Sequence, residues 1–145
     1  MRGLDTNVLV RFLTADDRHQ SEIARRLISE AEAAGERLHI STLVLAELVW
    51  VLRGNRYRLS REEAADTLDA VLGTALFEVQ DRDLVRRAAT AFRQGPADFS
   101  DYLIGEQDRR AGCTVTLTFD RRLATTNGFE KPSDGWYDSD CVSEP

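Results

Sequence analysis

The chain has 145 residues, a length that suits one domain and buries roughly two-thirds of its surface on folding, so no disulfide or metal staple is required. Hydrophobic residues are 42% and charged residues 30%, a soluble globular profile. A membrane span is excluded: the longest apolar stretch, Leu43 to Leu52, is too short to cross a bilayer and contains Glu47.

The net charge of −6 argues at first against a nucleic-acid partner, but its distribution matters more than its sum. Residues 133–145 hold four acids and no base. Without them the chain stands at −2, and without five further acids discussed below, 19 bases face 16 acids. Eighteen of the 19 bases are arginine, whose planar fork suits phosphate; a GC-rich genome would produce the same bias. Cys113 and Cys141 form no metal-type pair and read as reduced thiols of a cytosolic protein. No signal peptide is expected, because Asp5 breaks the one early apolar run.

The stretch Gly3-Leu4-Asp5-Thr6-Asn7-Val8-Leu9-Val10 opens as a buried strand interrupted by a carboxylate. Asp5 is read either as the carboxyl end of the first strand, where open α/β sheets place ligands, or as a helix N-cap. Asp16-Asp17 closes this segment and caps a helix from Arg18 to Ala34, stopped at Gly35. Leu38-His39-Ile40 is a short strand. Ser41 or Thr42 then caps a helix to about Arg53; it is apolar nearly all round and is expected to be buried. Ser60-Arg61-Glu62-Glu63 is a capping box opening a helix with Ala64, Leu68, Val71 and Leu72 inward. Leu76 to Val79 reads as a strand, and Asp81 caps a helix with Leu84, Val85, Ala88, Ala89 and Phe92 on one face, broken by Gly95-Pro96. Ser100 caps a further helix with Leu103, Ile104 and Gln107 on one side and Gly112 at its end. Thr114 to Phe119 is the clearest strand. Strands alternating with helices predict an α/β fold, a parallel sheet with right-handed crossovers and helices on both faces. Residues 1–132 form the domain, and 133–145 read as a poorly ordered acidic tail.

Five acids stand out. Glu47 lies inside the apolar helix, where a lone carboxylate would be ion-paired or metal-bound. Asp98 and Asp101 flank Phe99-Ser100 at a helix start, where the dipole favours negative charge and capping is the simplest role. Asp120 follows a strand, as Asp5 does. Parallel topology can gather such ends at one sheet edge. Clustered carboxylates need a cation, and oxygen-only ligands select Mg²⁺ or Mn²⁺.

Four blocks, in order, resemble PIN-domain ribonucleases, and most of all the VapC-type toxins of bacterial toxin–antitoxin pairs. They are Leu-Asp-Thr-Asn-Val-Leu-Val-Arg-Phe-Leu, Ile-Ser-Thr-Leu-Val-Leu-Ala-Glu-Leu-Val-Trp-Val-Leu, Asp-Phe-Ser-Asp-Tyr-Leu-Ile and Thr-Phe-Asp-Arg, within residues 3–123. The resemblance implies a three-layer α/β/α fold with a central parallel sheet. It assigns Asp5, Glu47, Asp101 and Asp120 as the catalytic, metal-holding acids, with Asp98 as an extra metal ligand and Thr6, Asn7 and Thr118 in support. It implies Mg²⁺- or Mn²⁺-dependent hydrolysis of RNA to 5′-phosphate and 3′-hydroxyl ends, an inhibiting antitoxin, a homodimer and a cytoplasmic location. Arg53, Arg56, Arg58 and Arg61 crowd the region after the Glu47 helix; with Arg11, the first three are candidates for RNA or antitoxin contact. The chain departs from the pattern after Asp120, where no final strand is legible.

Two rival readings remain at this level. One is another Mg²⁺-dependent phosphohydrolase with Asp5 as nucleophile, although Asn7 occupies the position where a second Asp is usual. The other is a non-catalytic PIN-like module, which a missing acid would favour; none is missing.

Overall fold

A computed structural model describes residues 1–133; the chain beyond, including Cys141 and the expected tail from residue 134, lies outside the described residues. Strand β1 (Arg2–Gly3) leads into α1 (Thr6–Thr14) and α2 (Arg18–Ala33). Strand β2 (Leu38–Ile40) is followed by α3 (Thr42–Arg53) and α4 (Arg61–Gly73), and β3 (Phe77–Val79) by α5 (Arg82–Gln94) and α6 (Phe99–Arg110). Strand β4 (Thr116–Leu117), a 3-10 turn (Leu123–Thr125) and β5 (Phe129–Glu130) complete the chain. Strands β1, β2 and β3 form a parallel sheet in that order, and β4 pairs with β5 in a second parallel pair. Six helices around parallel strands make the three-layer α/β/α architecture.

Local chemistry sets most helix starts. Asp17 accepts from the Gln20 N–H at 3.0 Å and Ser41 from the Val44 N–H at 3.2 Å. Ser60 and Glu63 form the reciprocal capping box, which satisfies donors a helix end leaves orphaned. Two starts differ from expectation. Asp98, not Ser100, precedes the first residue of α6. Asp81 stands at the start of α5 in the left-handed region, at φ 50°, and makes no capping bond; its carboxylate pairs with Arg110 instead.

The core fills the space between sheet and helices, with Leu9, Leu38, Ile40, Leu45, Leu48 and Phe77 at most 1% exposed. Phe92 and Phe99 meet edge to face at 6.1 Å, joining α5 to the start of α6.

Three expectations are corrected. The predicted strand Thr114–Phe119 contracts to Thr116–Leu117, because its partner offers only Phe129 and Glu130 to pair with; Leu117 and Phe119 are 62% and 73% exposed. Helix α3 is not buried all round: Leu43 and Trp50 are 68% and 80% exposed, since α3 packs on α1, α4 and α6 while its remaining face stays open. On α6, Leu103 is buried but Ile104 and Gln107 are exposed, because only one side of that helix meets the core. A final strand does exist: β5 lies beside β4 in register Thr116 to Phe129, and the Phe129 ring packs on Gly105 of α6.

Candidate functional site

Parallel register lines up the strand ends. Gly3 lies opposite His39, and Ile40 opposite Val79. Counting onward, Asp5, Ser41 and Gln80 share one level at the carboxyl edge, where such sheets bind ligands. Asp5 satisfies both of its sequence readings. It follows β1, and its Oδ1 accepts from the Val8 N–H at 3.0 Å as the N-cap of α1. Its carboxylate is exposed, with Asn7, in the groove between α1 and α2.

Glu47 is exposed, not buried, and has no ion pair among the described residues. Its place in an apolar run therefore does not reflect interior burial; it sits on the open face of α3, four residues after Leu43 and three before Trp50. One contact fixes it. The Thr6 hydroxyl donates to Glu47 Oε2 at 2.6 Å, joining the start of α1 to the middle of α3. Thr6 is itself buried, so its hydroxyl is held in place.

Asp98 and Asp101 open α6, and the Asp98 N–H donates to Asp101 Oδ2 at 3.1 Å. Asp98 also lines a cleft of about 290 Å³ between α3 and α6, shared with Ala46, Trp50 and Arg53. Asp120 makes its contacts within its own loop. Its Oδ1 accepts from the N–H groups of Arg122 at 2.8 Å and Leu123 at 3.3 Å. These bonds, from Leu123 first and Arg122 next, hold its carboxyl below the ordinary carboxylate range. The Thr118 hydroxyl accepts from the Asp120 N–H at 3.1 Å, which gives Thr118 a supporting place.

The structure thus joins Asp5's neighbour to Glu47, and faces Glu47's helix with the start of α6 that carries Asp98 and Asp101. Asp120 is linked to neither by a hydrogen bond. Among the described residues, no three Asp, Glu, His or Cys side chains stand together as a ready cation cage. The donors are nonetheless all carboxylate oxygens, the set that suits Mg²⁺ or Mn²⁺.

Sequence reasoning missed a polar relay beside the acids. The Thr42 N–H donates to Gln80 Oε1 at 3.0 Å, and Gln107 Nε2 donates to the Thr42 hydroxyl at 3.4 Å. The signal was available: Thr42 and Gln80 follow β2 and β3 as Asp5 follows β1. The arginines also sort differently. Arg11 and Arg56 pair with Asp16 at 3.1 and 2.7 Å. Arg61 donates to the carbonyls of Phe92, Pro96 and Ala97 rather than sitting in a free loop. Arg58 donates to the Asn55 carbonyl at 3.2 Å.

Comparison with known proteins decides the family, since the PIN domain profile matches residues 4–128. This chain belongs to the PIN-domain family. The matched span of the PIN domain runs from the residue before Asp5 to the one before Phe129, so it contains all five acids and Thr6. A relative, the VapC ribonuclease of Aquifex aeolicus, is 27% identical over 136 residues, covering 90% of this chain and 99% of the relative. No helix of the PIN domain's described residues is long and apolar enough to cross a membrane.

Proposed function

We propose that this PIN domain is an endoribonuclease toxin of the VapC type, which hydrolyses RNA phosphodiester bonds with Mg²⁺ or Mn²⁺ and is silenced by a cognate antitoxin. The observation that carries the reading is the similarity to a VapC ribonuclease over 90% of this chain, with every family acid present and Thr6 already bonded to Glu47.

Asp5, Glu47, Asp101 and Asp120 would hold the metal, with Asp98 adding a carboxylate at the α6 end. A bound divalent cation supplies a water of lowered pKa and offsets the charge that builds on the phosphate. The protein's own groups supply the placement. Thr6 orients Glu47, Thr118 braces the turn that carries Asp120, and Asn7 stands beside Asp5 at the groove. No His, Ser or Cys is needed as nucleophile.

Arg53 and Arg58 have no carboxylate partner among the described residues and suit RNA or antitoxin contact, whereas Arg11 and Arg56 would have to leave Asp16 to serve there. A basic antitoxin side chain reaching the exposed acids would neutralise the site. A homodimer is expected from kinship, and the exposed Ile104 and Leu117 offer apolar surface for it. The proposed setting is the cytoplasm.

The test is cleavage of a structured RNA by the purified chain with Mg²⁺ or Mn²⁺, against EDTA, with end-group mapping. Metal-dependent fragments with 5′-phosphate ends support the reading. No cleavage of any RNA with either metal refutes it.

A further inference from the structure

We infer that the cleft between α3 and the start of α6 is a nucleobase subsite for single-stranded RNA, with Trp50 as stacking platform and Arg53 as anchor for the adjoining phosphate. This rests on the ribonuclease reading above and names where its substrate lies.

Trp50 is the most exposed large apolar side chain of the described residues, at 80%. An indole left in water on a helix that otherwise buries Leu45, Leu48, Val49 and Leu52 has a wide π-face free to meet a base. Proteins that take single-stranded RNA stack bases on such rings and set arginine beside the backbone. Trp50 lies three residues after Glu47, about 4.5 Å along the helix axis and on the same side. A base on the indole therefore leaves its phosphate near the acids.

Arg53 supplies the second observation. Two guanidinium groups lie against the Phe92 ring, Arg61 at 4.8 Å and Arg53 at 5.4 Å. Arg61 is satisfied by three carbonyls. Arg53 has no ion pair among the described residues, and its Nη1 is buried without any hydrogen-bond partner. Two like charges on one ring, neither within ion-pair distance of a carboxylate among the described residues, leave positive charge on this wall of the cleft. The C-terminal dipole of α3 favours Arg53 there but neutralises only a fraction of that charge. A phosphate oxygen in the cleft meets the open edge of the guanidinium rather than the buried Nη1 and offsets the charge. Ser100, on the opposite wall, offers a hydroxyl to the base edge.

The rival occupant is a second copy of this chain covering Trp50. One experiment separates the two. The full-length chain carries Asp5→Asn, to prevent cleavage, and Trp136→Phe, to leave Trp50 as the single indole. It is titrated in Mg²⁺ with a short single-stranded RNA and with an abasic strand of equal length, following indole fluorescence. The expected result is quenching by the base-bearing strand and little by the abasic one. Trp50→Ala, read by anisotropy of a labelled RNA, should weaken binding by roughly 5- to 150-fold, and Trp50→Phe should restore most of it. Arg53→Gln should weaken binding of both strands and lower the salt dependence by about one phosphate contact. Because Trp50 is exposed, its substitution leaves folding intact, which circular dichroism verifies. Unchanged binding by Trp50→Ala in a chain whose wild type cleaves RNA overturns the subsite alone. Indole emission already blue-shifted without RNA and lost on dilution, with Trp50→Ala converting a dimer to a monomer, also overturns it. A wild-type chain that neither binds nor cleaves RNA refutes the ribonuclease reading itself, and the subsite with it.

Discussion

Thr6 and Glu47, 41 residues apart, share a 2.6 Å hydrogen bond in which the threonine hydroxyl donates and the carboxylate accepts. The bond joins the first turn after β1 to the middle of α3 and holds Glu47 in one orientation at the surface. Groups that orient a metal-holding carboxylate typically matter 10- to 100-fold. Thr6→Val should therefore reduce metal affinity or metal-dependent cleavage by about 10- to 100-fold, while Thr6→Ser, which keeps the hydroxyl, should retain most of both. Mg²⁺ dependence of the cleavage rate measures it; a Thr6→Val variant with the wild-type metal dependence would make the bond merely structural.

Asp5 carries two duties that substitution can separate. As N-cap it needs only an acceptor for the Val8 N–H, which Asn supplies about as well as Asp. As a metal ligand it needs the charge. Asp5→Asn should keep stability and lose cleavage, whereas Asp5→Ala should lose cleavage and about 1 kcal/mol of stability as well. Urea midpoints beside cleavage rates distinguish them, and full activity in folded Asp5→Asn removes Asp5 from the site.

Glu47 is exposed and has no cationic partner among the described residues, so Glu47→Gln breaks no ion pair. The Gln carbonyl still accepts from Thr6. Stability should stay within about 0.5 kcal/mol of wild type, while the cleavage rate with Mg²⁺ should collapse. A variant that cleaves at the wild-type rate excludes Glu47 from metal binding; one that loses several kcal/mol would reveal a structural role.

Acid sensitivity should trace to Asp16. Its carboxyl is held down to about 2 from an ordinary value of 3.8, chiefly by the hydroxyls of Tyr57 and Thr14, then by Arg56 and Arg11. Tyr57 donates to it at 2.6 Å. The folded pKa lies below the unfolded one, so this stabilisation is complete above about pH 4 and disappears as pH falls towards 2. Tyr57→Phe should raise the Asp16 pKa and shrink the loss of thermal midpoint across that window. Equal pH dependence in Asp16→Asn and wild type would show that other carboxyls govern it.

Gly105 marks the seat of the last strand. A Cβ added there would collide with the Phe129 ring, which is 8% exposed. Gly105→Ala should destabilise the fold by about 1–3 kcal/mol through overpacking, and Phe129→Leu in the same chain should recover part of it. A Gly105→Ala variant of unchanged urea midpoint would mean that β5 does not dock on α6.

Local signals in the sequence settled much of this protein. Ser60 with Glu63, Asp17 and Ser41 announce helix starts because a cap is made within four residues. Asp5 and Asp120 stand after strands for any reader of the pattern, and the ordered blocks around Asp5, Glu47, Asp101 and Asp120 carry the family. Tertiary structure decided the rest, because exposure and pairing depend on residues far apart in the chain. An apolar run predicts burial of α3, yet a helix packed on one side leaves Leu43, Glu47 and Trp50 in water. Arg11 and Arg56 resemble free phosphate ligands until Asp16 and Tyr57, from other turns, claim them. Strand β5 has too few residues to be read alone and exists because β4 offers hydrogen bonds and Gly105 leaves room for Phe129. Composition fixes which groups are available, and only the packed chain determines which of them are already spoken for.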